Sequence, residues 1–299
     1  MMCKLEDRNL ETFSDYERKE YSVFCELLKL VPSLESRLSS SDEEDVVAIA
    51  ELIQRGTNGA RADDMKGMKC TIIDWITLKG QMLNPHIPHH AKSARGFNHK
   101  RTGALLCPAG YDWSNAEIKE KLCNGQLRVT GNQWPIFLYA NYAYNTEDPW
   151  NGLLHSGIFI SAYKYIFTSP SSVDLEEPKA THSCNARIHR MHSVTKASIT
   201  YVAIQVSCSF ALTSAQVFSR TDLLTDSEWF YNSILELLYD PDERHEVNQL
   251  LQWWNRQIFP ANAESAWLPS KNSMLATIRR RRVAFKAVAA MAGGVADSG

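Results

Sequence analysis

No run of about 20 apolar residues occurs in the chain, so no segment has the length that a membrane-spanning helix needs. The most apolar stretches, Leu153–Phe167 and Ile199–Leu212, are interrupted by His155, Lys164 and Gln205 and read as buried helices. The first twenty residues lack the apolar core of a signal peptide, and no Asn-x-Ser/Thr acceptor is present, so an intracellular protein is expected. The seven cysteines (Cys3, Cys25, Cys70, Cys107, Cys123, Cys184 and Cys208) are scattered, with no C-x-x-C pair. That pattern fits reduced thiols in a nucleus or cytoplasm. There is no G-x-S-x-G, no phosphate loop of the Walker type, no G-x-G-x-x-G and no H-E-x-x-H. Their absence removes the familiar hydrolases, nucleotide-binding folds and metalloproteases, and no motif calls for a cofactor. Long alternating strands are missing too, which leaves a large sheet without material.

Helical periodicity is what the chain has in quantity. Phe13, Tyr16, Phe24, Leu27 and Leu28 recur at helical spacing over residues 9–30, ahead of Pro32. Asp42 stands as a cap before Glu43-Glu44-Asp45, whose charges suit a helix N-terminus, and Val46, Ile49, Leu52 and Ile53 supply an apolar face. Gly56 and Asn58-Gly59 predict a stop there, with a new helix over 63–76. Ser114 with Glu117, and Thr225 with Glu228, have capping-box spacing. Asp148-Pro149 predicts a helix start that would run to Phe167. Thr195 predicts a helix to about Ser214, and Asp240-Pro241-Asp242-Glu243 one through Trp253-Trp254 to Phe259. A last helix is expected over 273–291, and a brief strand over 127–130. The paired tryptophans should bury one ring and leave the other at an edge.

Residues 79–113 break this pattern. Pro85, Pro88, Gly96, Gly103, Pro108 and Gly110 punctuate them, while Ile87, Phe97, Leu105, Leu106, Tyr111 and Trp113 give them apolar anchors. A free linker would lack such anchors, so the segment should wrap over the helical body. The expected fold class is mostly α: a single irregular helical domain with this loop-rich segment and at most a minor β element. Residues 1–41 form an N-terminal arm in that reading, 42–260 the core domain, and 261–299 a basic helix and tail.

The formal net charge is only −2, so the chain as a whole has no pull toward polyanions, and local patches must carry any such argument. Two stretches stand out. Between Asp74 and Asp112 there is no acidic residue, while Lys79, Lys92, Arg95, Lys100 and Arg101 occur with His86, His89, His90 and His99. Between Glu177 and Asp222 the same holds, with Lys179, Arg187, Arg190, Lys196 and Arg220. If the two converge, Arg95, His99, Lys100, Arg101, Arg187 and His189 form one basic face. Phe97, Tyr111 and Trp113 would then stand close enough to meet unstacked bases. The commoner origin of such stretches is a solvated surface answered by the protein's own acidic helices.

His182, Cys184, His189 and His192 are of the ligand types zinc takes, but their spacing matches no standard finger. Arg279–Arg282 have the composition of an import signal, and four consecutive arginines must point all round a helix. The leading expectation is a non-enzymatic interaction module whose partner is nucleic acid or another polyanion, or a protein, and not a membrane. The alternative is an enzyme or metal protein of unfamiliar type working through loop histidines.

Several blocks resemble a known family: Asn58-Gly59-Ala60-Arg61-Ala62-Asp63-Asp64, Arg95-Gly96-Phe97-Asn98-His99, Leu106-Cys107-Pro108, Gln133-Trp134-Pro135-Ile136-Phe137-Leu138-Tyr139, Asp148-Pro149-Trp150, Phe167-Thr168-Ser169-Pro170-Ser171-Ser172 and Trp253-Trp254-Asn255-Arg256. Together they are similar to a lineage-expanded family of uncharacterised proteins in mushroom-forming fungi, over roughly Leu52 to Pro260. That resemblance implies no activity, cofactor or catalytic residue. Expansion of this kind, often tied to mobile elements, implies a leaning toward nucleic acid.

Overall fold

The computed structural model describes residues 12–77, 81–89, 93–173, 185–211, 220–260 and 281–282. The chain divides into two compact units, Met1–Asp63 and Asp64–Gly299. Mostly α is the outcome: the described residues hold helices and short 3-10 or π turns, and their β pairing is confined to the isolated bridges Pro108–Pro135 and Tyr139–Leu153.

In the first unit α1 (Asp15–Leu30) opens on a reciprocal box. The Ser14 hydroxyl accepts from the Glu17 amide at 3.3 Å, and the Glu17 carboxylate accepts from the Ser14 amide at 2.9 Å. Phe13, buried, meets Tyr21 edge to face at 5.7 Å. After the short α2 (Leu34–Ser40), Asp42 caps the next helix by accepting from the Asp45 amide at 2.9 Å.

That helix, α3, runs unbroken from Glu43 to Ile76, and the stop expected at Asn58-Gly59 does not occur. A mid-helix glycine costs only about 1 kcal/mol against alanine. Around these glycines the Asn58 side chain accepts from Gln54 one turn back at 3.1 Å, and Ala60, Arg61 and Ala62 favour helix. Two weak breakers do not outweigh a long run of helix formers.

The second unit is built round α8 (Lys196–Ala211). Ile199, Val202, Ala203, Val206 and Phe210 on this helix are all fully buried, as its apolar sequence requires. Its N-terminus follows the sequence, with the Thr195 hydroxyl accepting from the Ser198 amide at 3.1 Å. Against it lie α4 (Lys100–Leu106), α6 (Gly157–Tyr163) and α9 (Arg220–Tyr239). The last helix of this group, α10 (Arg244–Ile258), inserts Trp254 between Phe159 and Tyr163 at 5.2 and 5.1 Å and leaves Trp253 half-buried against His155. The Met68, Ile72 and Ile76 face of α3 closes the core.

Four local expectations are corrected. The 148–156 stretch is turn rather than helix, and α6 begins at Gly157 under a Ser156 cap. The Trp150 indole donates to Glu243 at 2.7 Å and Leu153 bridges to Tyr139, so long-range contacts hold these residues out of a helix. Ser114 does not cap α5 (Ala116–Cys123): its hydroxyl is spent on Asp112, and Asn115 accepts from the Glu117 and Ile118 amides instead. Thr225 and Glu228 lie inside α9, not at its start. Residues 127–130 make no strand.

Candidate functional site

A cleft of about 690 Å³ opens in the second unit where the end of α3, residues 81–84, the first turn of α4, and Trp113 with the start of α5 come together. Lys100, Arg101 and Lys119 line it beside the Trp113 indole, and among the described residues no aspartate or glutamate does. Three cations beside an aromatic ring are a combination that can attract an anion carrying a flat surface.

The backbone that carries the first two cations is held from behind. The imidazole of His99, almost wholly buried, accepts from the Arg101 amide through Nδ1 at 3.1 Å and meets the Pro85 carbonyl through Nε2 at 2.8 Å. The tautomer protonated on Nε2 satisfies both contacts, so one ring caps α4 and ties it to the 81–85 wall. Ahead of it, Gly96 takes φ +67°, a conformation that strains other residues, and its carbonyl accepts from Thr102 at 2.7 Å. This turn throws Lys100 outward and sets Arg101 against the Tyr142 ring at 5.4 Å. Burial raises the Tyr142 phenol above its ordinary pKa, and Arg101 opposes that shift.

Trp113 is seated more tightly. Its ring stacks on Phe97 at 6.0 Å with 29° between planes, and Lys119 stands over it at 5.5 Å. Gly103 makes room for it: a Cβ there would lie 2.4 Å from Cη2 of the indole. The neighbouring Asp112 is tied up by the Ser114 hydroxyl and amide, which hold its carboxyl below the usual range. Glu117 is likewise held low by Lys121, 2.6 Å away.

Arg95, expected on the same basic face, lies instead in the interior with 1% of its surface exposed. Its guanidinium donates to the Ser209 carbonyl at 3.0 Å and the His89 carbonyl at 2.8 Å, and Nε finds no partner. Burial lowers its pKa, with Cys70 acting the other way. A buried cation answered by carbonyls ties His89 and Arg95 to α8 and is out of reach of a ligand in solution.

The remaining candidates do not gather at the cleft. His189 is exposed just beyond α7 (Asn185–Ile188) and does not line the cleft, and Arg187 lies within that helix. His182 and Cys184 lie outside the described residues; His192 is exposed. Among the described residues no three metal-ligating side chains come together. Of the arginine cluster, Arg281 and Arg282 are helical and exposed, while Arg279 and Arg280 lie outside the described residues. Among those residues no helix is long and apolar enough to cross a membrane.

Sequence reasoning missed Lys119. It sits on α5 between Glu117 and Glu120, so counting charge hides it; its helical register with Ala116, three residues earlier and also on the cleft wall, is the signal that finds it.

No curated protein and no solved structure matches the chain. A family model matches residues 55–259, a span that contains the whole cleft, and the chain accordingly belongs to that family, a family of unknown function (DUF6698).

Proposed function

We propose that the protein is a non-enzymatic interaction module that holds a polyanion, nucleic acid foremost, in the cleft between α3, α4 and α5. One observation carries the reading: among the described residues Lys100, Arg101 and Lys119 line the cleft and no carboxylate does. The same wall argues against acid–base chemistry. Its described residues offer no Asp, Glu or Cys, and both ring nitrogens of the histidine among them, His99, are already engaged. In this reading the protein acts in the nucleus or cytoplasm of a mushroom-forming fungus, and Arg279–Arg282 serve as its import signal. Fluorescence anisotropy with labelled oligonucleotide and heparin tests the binding. Affinity should fall with salt on a log–log slope of about −2, roughly 0.7 for each of three neutralised phosphates on a single strand. Absence of binding at low salt, or binding indifferent to salt, removes the proposal.

A further inference from the structure

We infer that the cleft is a single-stranded nucleic-acid subsite in which one base stacks on Trp113 and its flanking phosphates meet Lys100 and Arg101. The inference rests on the polyanion reading above and narrows it to ligands with unstacked bases. A site for charge alone, such as one for a sulfated polysaccharide or an anionic lipid headgroup, has no use for an indole on its wall. Here the indole is also fixed in place before anything binds: Phe97 supports it at 6.0 Å, and the missing side chain of Gly103 admits its edge. A ring ordered in advance loses little freedom when a base lies on it, and stacking then contributes with little regard to sequence. Duplex ends aside, base faces are covered in a double helix, so the platform selects single strands.

Lys119 completes the argument. Its ammonium stands 5.5 Å from the centroid of the Trp113 ring, where a cation is held by the π electrons. A base arriving on the ring takes over that face, and the displaced ammonium is left beside the strand, where the phosphate lies. Lys119 is therefore a place-holder in the free protein and a phosphate contact in the bound one. Gln81 and Asn84, which also line the cleft, bring uncharged amides suited to base edges or sugar hydroxyls.

The test compares labelled oligothymidylate, an abasic oligodeoxynucleotide of the same length and heparin, bound to the full chain and to Trp113→Ala and Trp113→Phe variants, by anisotropy at fixed low salt. The wild type should hold oligothymidylate roughly tenfold or more tighter than the abasic strand. Trp113→Ala should abolish the preference, so that oligothymidylate and the abasic strand bind that variant alike, while Trp113→Phe keeps most of it. Equal wild-type affinity for the two strands, both falling with salt, overturns the stacking inference and leaves the polyanion reading intact. Failure of all three ligands to bind overturns both. If Trp113→Ala does not fold, as judged by circular dichroism, the wild-type comparison of the two strands and the Phe variant still decide the matter. Duplex DNA bound as tightly as oligothymidylate would also overturn it.

Discussion

Residues 75–111 and 178–221 both lack aspartate and glutamate, yet the two stretches do opposite things with their cations. In the first, Lys100 and Arg101 stand on the cleft, and Arg95 is drawn inward to bind carbonyls. In the second, the middle becomes α8, the most completely buried helix of the core, and Lys196 lies over the Tyr239 ring at 4.3 Å. None of its described residues is among those that line the cleft. An acid-free stretch therefore need not make a basic surface. Where the backbone turns, at Gly96 and around Pro85, cations can be thrown outward together; where it is helical and apolar, the lack of acids reflects burial, because a carboxylate there would be costly.

The sharpest way to break this contrast is Arg95→Ala. Two carbonyls would lose their donors and a large side chain would leave a void, so unfolding free energy should fall by roughly 3 kcal/mol in urea denaturation. Oligonucleotide affinity per folded molecule, and its salt slope, should stay as they were. A variant as stable as the wild type but weaker in binding would place Arg95 on the ligand instead.

Gly103→Ala comes next. The added methyl meets Cη2 and Cζ2 of Trp113, and because an indole cannot bend, the ring must move. Overpacking of this kind costs roughly 1–3 kcal/mol. Thermal melts should show the loss, and oligothymidylate binding should weaken beyond what the folded fraction explains.

Lys100→Ala and Arg101→Ala should each change stability by less than about 1 kcal/mol, since Lys100 is exposed and Arg101 gives up a ring contact worth roughly 0.5–1 kcal/mol. Each should lower the salt slope by about 0.7. The smallest effect belongs to Lys196→Ala. Burial and the nearby Arg244 lower that ammonium's pKa, and losing its contact with Tyr239 should cost about 0.5 kcal/mol with no change in the salt slope. A slope reduced as much as by Lys100→Ala would join the two acid-free stretches into one face after all.

How much of this the sequence could reveal depended on the range of the interactions involved. Thr195 with α8, Asp42 with α3, and the apolar spacing of α10 are local signals, and the helices follow them. The 148–156 turn was hidden because its determinant, Glu243, lies 93 residues from Trp150. Arg95 was hidden for the same reason: the Ser209 carbonyl that draws it inward is 114 residues away. The aromatic and basic content of the cleft, Trp113 with Lys100 and Arg101, was legible; its third cation was masked by the glutamates on either side. Nor does charge counting reveal that His99 is a cap, because that follows from the turn at Gly96.

Three indole N–H groups have a consequence for the order of assembly. Trp134 donates to Ser233, Trp150 to Glu243, and Trp254 to the Leu154 carbonyl, across separations of 99, 93 and 100 residues. All three join the helix-poor stretch 131–156 to α9 or to α10 and its N-cap residue, Glu243. Closing loops of that length costs entropy before any contact is gained, so the stretch has little reason to settle until both helices are in place. Its turns then lock as one event. In the native protein the same three protons should exchange with solvent together, at the rate at which that docked layer opens, and not one by one as surface turns fray.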